Sequence, residues 1–423
     1  MTTRFIFPLL LACVALVCIG NFPGVSGGGD DELSASVKLF TRAVTLGRQN
    51  FVEEVESKAL IYGALKGMIG SLDDHSQFMD PEMFEEMQVD TEGKFGGLGI
   101  EITMRDRALT IVTPLDDTPA SRAGLSPGDR IVKIEGELTK NLTLMDAVKK
   151  LRGKPGTQVT ITISRPGEEE YREHTLSRAE IKVKSIKESM IIDDGIGYIK
   201  MVQFQERTGK DLEKALRKLE KKDMKSLILD LRNNHGGLLH VAIEVADKFL
   251  PRGKLIVSTK GKSAKQDSEW TSSNRQTRAD LPLVILVNKG SASGTEIVAG
   301  AVQDWGRGII LGSKTFGKGT VQSVMKLKDG SALRLTTAEY FTPSGRSIHE
   351  EGITPDIVVE LSPEDEVKLV MRKYDELEKK MKEANGEEVE EEEEVEDIQL
   401  KRAVDLLKAW DVYKGKALPS TEE

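Results

Sequence analysis

From about Glu32 to Leu72 apolar residues recur at helical spacing, with Val37, Phe40, Val44, Phe51, Val55, Leu65 and Ile69 on one stripe. That spacing predicts a helical pair that packs on itself or dimerises. "LDDHS", Leu72 to Ser76, ends the pattern, and Asp74 and His75 there read as a loop cap rather than as catalytic groups. From about Phe95 to Arg165 the alternation is that of short strands, through "FGGLGIEI", "LTIVTPLDDTPASRAGLSPGDRIVKIEGE" and "LRGKPGTQVTITISR". Beyond a polar joint near Ser177 to Glu188, apolar runs alternate with amphipathic ones. "GIGYIKMVQF", "SLILDLRNN" and "LPLVILVN" read as strands, and "GKDLEKALRKLEKK" and "LHVAIEVADKFL" as helices. Continuous apolar strands alternating with helices predict a sheet covered by helices. "SALRLTTAEYFTPSGRSI" adds further strand-like runs. A charged helix from Pro363 to Ala384, an acidic run and a short helix around Leu400 to Trp410 follow.

One stretch interrupts this pattern with chemistry. "GSASGTE", Gly290 to Glu296, sits between the strand "LPLVILVN" and the helical "IVAGAVQDW". A strand, a small-residue turn and a helix N-terminus are how a fold presents a nucleophile. Ser291, Ser293 and Thr295 all qualify. Serine is a poor nucleophile at neutral pH and needs a positioned base. The histidines, at 75, 174, 235, 240 and 349, follow no recognisable triad order. Lysine is the other candidate, and "GSKTFGKGTVQ" offers Lys318 between two glycines, with Lys314 as rival. To act as a base the lysine must fall from about 10.4 toward 7–8, roughly 4 kcal/mol of desolvation held by the fold.

Composition narrows the class. The net charge of -9 over 423 residues comes from Glu387 to Asp397, which holds nine acids in eleven residues. That run reads as a solvated linker, and the otherwise near-neutral chain excludes a nucleic-acid surface. At the start, Arg4, an apolar stretch from Phe5 to Ile19, and small residues before Asp30 and Asp31 follow the order of a secretory signal, with cleavage near Ser26 or Gly27. The apolar stretch is shorter than the roughly 20 residues of a spanning helix. An uncleaved leader, or a lipid on Cys18, would instead hold the protein at a membrane. Both cysteines, Cys13 and Cys18, lie in this leader, so the mature chain has no thiol nucleophile, disulfide or cysteine zinc site.

The turn Gly96 to Gly99 leaves backbone N–H groups free to face an anion, and a strand begins at Ile100. That arrangement captures a terminal carboxylate and adds the peptide as an extra strand. No long helix follows the glycines, against a nucleotide-binding reading. With "AGLSPGDRIVKIEG" the block resembles a PDZ domain, whose peptide site would be Gly96, Gly97, Leu98, Gly99 and Ile100.

"LVNKGSASGTEIVAGAVQD", "TFGKGTVQ" and "DLRNNHGGLL" together resemble the carboxyl-terminal processing peptidases, exported serine proteases with a Ser/Lys dyad and an embedded PDZ domain. The resemblance runs from roughly Phe40 to Val359. It implies Ser293 as nucleophile, Lys318 as general base and Gln322 as the residue orienting the lysine. On spacing alone, Gln322 reaches Lys318 only if the segment is locally helical. The resemblance also implies Gly294 N–H and a second donor, Gly236 or Gly237, as the oxyanion hole. It further implies that Arg152 links a peptide-loaded PDZ domain to the active site. His235 stands where the family more usually carries proline, and Gly294 and Thr295 depart from the commoner variants.

The expected architecture is therefore α/β. A signal peptide spans 1–27 and a helical region 28–84. A β-rich PDZ domain over 85–170 precedes a crotonase-like peptidase core over 171–362, with a helical and acidic tail over 363–423. The expected activity is an exported, periplasmic or secreted, serine endopeptidase acting on unstructured protein C-termini. No metal or organic cofactor is implied, and the helical pair would serve a homo-oligomer. A silent PDZ adaptor would carry a broken dyad. An acyl-CoA hydratase-like enzyme would share only core topology.

Overall fold

The computed structural model describes residues 29–416 except 106, 274–276, 363, 367 and 370–395. The leader with Cys13 and Cys18, and most of the charged helix and acidic run, lie outside the described residues. Among the described residues no helix is long and apolar enough to cross a membrane. The chain divides into two compact units, Met1–Met68 and Ile69–Glu423. The expected helical pair is α1 (Gly29–Asn50) and α2 (Ser57–Gly70). Val37, Phe40 and Phe51 of the apolar stripe are exposed.

In the larger unit, β1 (Gln77–Met79) leads into α3 (Pro81–Glu92). Asp80 caps this helix by accepting the Met83 N–H at 3.0 Å, Pro81 opens it, and Gly93 in the left-handed conformation closes it. β2 (Lys94–Gly97) then pairs antiparallel with β9 (Ala179–Lys182), and this ribbon brackets an inserted sheet. The insert comprises β3 (Ile100–Arg105), β4 (Ala108–Pro114), α4 (Pro119–Arg122), β5 (Arg130–Ile134), β6 (Glu137–Leu138), α5 (Leu144–Leu151), β7 (Gln158–Ser164) and β8 (Arg172–Ser177). Its strand order is β3-β4-β5-β7-β8, which leaves β3 at an edge. Leu98, Ile111, Ile131, Ile161 and Ile163 form its own core. β8 reaches Ser177, beyond residue 170, because the turn after β7 closes a hairpin.

The central sheet comes from the two-sided apolar runs. β10 (Ile186–Asp193) pairs antiparallel with β11 (Ile196–Met201). Parallel strands β12 (Ser226–Asp230), β15 (Leu283–Val287), β16 (Ile309–Gly312) and β19 (Ile357–Val358) follow in that order. Along β15 the residues alternate between two cores. Leu283, Ile285 and Val287 join the cluster that includes α6 (Thr208–Glu220), α7 (Leu239–Asp247) and α8 (Gly294–Asp304). Val284 and Leu286 pack with Ala403 and Leu407 of α9 (Ile398–Lys416). A second, antiparallel sheet orders β1, β18 (Ala332–Phe341), β13 (Leu255–Gly261) and β14 (Ser268–Thr271), with β17 (Thr320–Lys326) also on β18.

α9 is fastened by an ion cluster at the end of β12. Arg232 donates Nε to Asp230 Oδ1 at 3.0 Å, and Nη1 and Nη2 to the two Asp397 oxygens, each at 2.8 Å. Nη2 also meets Asp230 Oδ2 at 2.8 Å, and Nη1 reaches Gln399 Oε1 at 3.1 Å. Tyr198 OH donates to Asp230 Oδ2 at 2.8 Å. Burial opposes the Asp230 charge, while Arg232 holds its carboxyl below the usual range. Removing one partner from such a buried set strands the other charge. Arg232→Ala is therefore expected to destabilise the protein by about 3–5 kcal/mol in chemical denaturation. A loss below about 1 kcal/mol would show that the cluster does not hold α9.

Candidate active site

β15 delivers its last apolar residue to a turn packed with short polar side chains, and the structure separates the three hydroxyls there. Ser291 is fully buried; its Oγ donates to Leu231 O at 2.8 Å and accepts the Asn288 N–H at 3.0 Å. Thr295 is fully buried and donates to Asn234 O at 2.8 Å. Both hydroxyls are consumed by structure. Ser293 is half-buried, with φ 55 and ψ -113, and makes no side-chain capping bond to α8. A non-glycine residue in that region is strained, and such strain persists where the surroundings over-determine it.

The surroundings that do so centre on Glu296, 0% exposed, in the first turn of α8. Its Oε2 accepts the Ser293 N–H at 2.7 Å and the Lys318 N–H at 2.9 Å. Its Oε1 accepts the Gly317 N–H at 2.7 Å and the Thr315 hydroxyl at 2.5 Å. Burial raises this carboxyl above its ordinary range, and the four donors oppose that rise. The amides of Ser293 and Lys318 thus meet at one oxygen. Lys318 is half-buried and no carboxylate among the described residues pairs with its ammonium, whereas Lys314 is exposed. Burial first, and then the Arg334 charge, hold Lys318 below the ordinary lysine range. Ser293 Oγ and Lys318 Nζ make no hydrogen bond to each other.

The loop Asn233 to Gly237 closes against the serine turn. Ala292 N–H bonds Asn234 O at 3.0 Å, and Asn233 N–H bonds Asn288 Oδ1 at 2.8 Å. Gly236, at φ 94, lies so close that a Cβ would sit 2.8 Å from Ser293 Cβ and from Gly294 N. A Cβ on Gly237 would collide with Phe204 O. Of the two glycines expected to offer a donor, Gly236 has its N–H taken by Asn234 Oδ1 at 2.9 Å. Gly237 N–H has no acceptor among the described residues, nor does Gly294 N–H at the start of α8. His235 is exposed, and the loop is braced instead by Asn234, whose Nδ2 donates to Met201 O at 2.9 Å.

The Gln322 side chain has partners other than Lys318. The segment after Gly319 is strand β17, so the helical condition for reaching Lys318 is not met, and no hydrogen bond joins the two side chains. Gln322 Nε2 instead donates to Thr336 at 2.9 Å and Thr320 at 3.1 Å, and its Oε1 is buried without a partner. Thr336 in turn donates to Asp73 at 3.2 Å. Asp73, unremarked in sequence, is the cap of "LDDHS": it accepts the N–H groups of His75 and Ser76, both at 2.7 Å. His75 lies near enough to Lys318 that, after burial, the lysine charge lowers its pKa. No sequence spacing links positions 75 and 318. The strand pair β1–β18 does, through Arg334 Nε on His75 O at 3.2 Å.

Gly96 to Ile100 lie apart in sequence from this chemistry; Gly97 to Ile100, but not Gly96, line a groove with Phe95, Ile102, Val148, Leu151 and Arg152. Gly96 and Gly97 belong to strand β2, and a Cβ on Gly96 would collide with Gly153 O. The carbonyls of Leu98 and Gly99 are bonded by Ala120 and Leu115, but their N–H groups donate to nothing among the described residues. The Arg152 guanidinium stacks 4.6 Å over the Phe95 ring.

These features match known families. Residues 195–359 match Peptidase family S41, 96–183 a PDZ domain, and 27–83 the activating protease CtpB N-terminal domain. The class is a serine peptidase with an inserted PDZ domain. The carboxy-terminal-processing protease of Bartonella bacilliformis is 45% identical over 317 residues, covering 74% of this chain and 72% of that one. The carboxyl-terminal-processing protease of Synechocystis is 35% identical over 380 residues, covering 84% and 86%. CtpB of Bacillus subtilis is 34% identical over 333 residues, covering 78% and 69%. The chain belongs to the carboxy-terminal-processing proteases.

The contrast between the hydroxyls is measurable as stability. Ser293→Gly relieves about 1–3 kcal/mol of backbone strain and forfeits roughly 0.5–1 in chain entropy. It should therefore stabilise the protein by about 1 kcal/mol in denaturant unfolding. Ser291→Ala strands the buried Asn288 N–H and should destabilise it by about 1–3 kcal/mol. The reverse order would mean that Ser293 is the structural hydroxyl.

Proposed function

We propose that this protease cleaves near the C-terminal tails of exported proteins with a Ser293–Lys318 dyad. One observation carries the reading: the one of the three turn hydroxyls that is not fully buried and a half-buried lysine have their amides on one buried carboxylate oxygen. Neutral Lys318 takes the Ser293 proton as Oγ attacks the scissile carbonyl. The oxyanion is received by Gly294 N–H and Gly237 N–H, which have no acceptor among the described residues. The lysine ammonium then gives its proton to the departing amine, and a water repeats the sequence on the acyl-enzyme.

Tail capture falls to the groove beside edge strand β3. The N–H groups of Leu98 and Gly99 receive the terminal carboxylate, and the peptide extends along β3 as an added strand. Leu98, Ile100, Ile102, Val148 and Leu151 favour an apolar last side chain. Arg152, stacked on Phe95 at the rim of the groove, is placed to respond to the bound tail. Export rests on the order of the first 31 residues: basic, apolar, small, then acidic.

Ser293→Ala and Lys318→Ala should each abolish cleavage, and the double variant should lose no more than either, because the pair acts as a unit. Full turnover by Ser293→Ala would end the assignment. The active form is the neutral amine, so activity should rise with pH through the depressed Lys318 pKa and fall below it. Arg334→Gln removes a cation that lowers this pKa and should move the limb to higher pH in a rate–pH profile. For binding, amidating one tail peptide should weaken its affinity for Ser293→Ala protein roughly 10- to 150-fold. Equal affinities of the free acid and the amide would refute tail capture by these N–H groups.

A further inference from the structure

We propose that Glu296 is the positioning residue of this peptidase, fixing the separation of Ser293 and Lys318 by holding the main chain of both on one carboxylate. The inference rests on the dyad reading above. The carboxylate takes its donors from two segments far apart in sequence. Ser293 N–H comes from the turn, while Gly317 N–H, Lys318 N–H and the Thr315 hydroxyl come from the loop that carries the base. A carboxylate oxygen accepts two hydrogen bonds readily, so both oxygens are filled and neither segment can move without stranding a buried partner. Nor can the loop relax elsewhere. Thr315 Oγ1 also accepts the Ile353 N–H at 2.7 Å, Phe316 N–H bonds Ser291 O at 3.0 Å, and Gly317 O accepts the Glu350 N–H at 2.9 Å.

A helix N-cap alone would explain only the Ser293 bond. Glutamate three residues after a helix start commonly bonds back to the N-cap amide, and an exposed carboxylate suffices for that. Glu296 is instead sealed from water and spends three of its four bonds on the lysine loop. It touches neither reacting atom; its effect passes through the main chain to the Lys318 amine and the Ser293 hydroxyl. Misplacement of a reacting group by about 1 Å costs on the order of 100-fold in rate.

Glu296→Gln tests this in the full-length protein. Whichever way the amide turns, its NH2 faces two donors. With a fluorogenic peptide ending in a free apolar residue, kcat should fall roughly 100-fold while KM stays within about threefold. Lys318 should regain water, moving the rate–pH limb upward. Independently of turnover, hydrogen exchange should quicken in 293–296 and 315–318 while the 96–183 segment keeps its protection and its tail-peptide affinity. A kcat within about threefold of the parent, or exchange unchanged in both segments, would overturn the proposal. So would a fall in kcat with an unmoved limb, since general destabilisation lowers the active fraction without changing the base. If Glu296→Gln fails to fold, Thr315→Val removes one of the four donors and should show the same exchange and pH displacement in smaller measure; neither displacement in that variant overturns the proposal. Parent-level activity in Ser293→Ala would instead sink the dyad itself, whereas a dead Ser293→Ala beside an active Glu296→Gln would sink only this inference.

Discussion

A carboxylate sealed from water must be satisfied by the protein around it, and at Glu296 that requirement organises the site. Four donors converge on it from two segments, and their geometry leaves little freedom in either. The strained Ser293 backbone is one consequence. Its φ of 55 is unfavourable in isolation, but its N–H is bonded inward to Glu296 and its neighbours Ser291 and Thr295 are pinned to the Asn233–Gly237 loop and its root. The burial of Lys318 is the other. Its amide is drawn in by the same oxygen, so the side chain starts from a partly desolvated position and its charge is disfavoured. Strain at Ser293 and desolvation at Lys318 thus share a cause.

The parts legible in the sequence were those whose physics is local. Apolar runs such as "LPLVILVN" predict strands buried on both faces, and β15 is fully buried with residues alternating between two cores. The small-residue turn announces a nucleophile because only short side chains fit between a strand end and a helix start. What the spacing could not choose was which hydroxyl is spent. Ser291 and Ser293 differ only in partners that lie about sixty positions away, at Leu231, or in the backbone itself. The choice between Gly236 and Gly237 likewise turned on the side chain of Asn234, which occupies one N–H and not the other. The contact of Gln322 with Lys318 was undecidable from spacing for a related reason. A four-residue spacing carries meaning only once the local period is known, and there it is that of a strand.

The C-terminal ion cluster was silent in sequence because its members are 165 positions apart. Arg232 stands inside "DLRNN", where it reads as an ordinary charge after a buried strand. Its guanidinium instead joins Asp230 at the root of the oxyanion loop to Asp397 at the start of α9. Two fully buried strand faces explain why such a clasp is present. The face of β11, β12 and β15 opposite α6, α7 and α8 needs a cover, and Ala403 and Leu407 of α9 supply it.

The segment Gln203 to Glu206 joins the two halves of the larger unit. On one side Phe204 N–H bonds Gly236 O, Leu238 N–H bonds Phe204 O, and the Phe204 ring lies against Gly294. On the other, Glu206 N–H bonds Thr91 O, Gln203 Nε2 bonds Asp90 O, and the Gln205 side chain packs on Gly93. Gly93 is the residue from which β2 departs toward Phe95 and Arg152. Four residues therefore hold both the root of the strand that leads into the PDZ domain and the main chain of Gly236 and Gly237. Packed interiors respond to displacement by switching between arrangements rather than by stretching. A displacement at Gly93 therefore bears, through this segment, on the main chain beside Gly294.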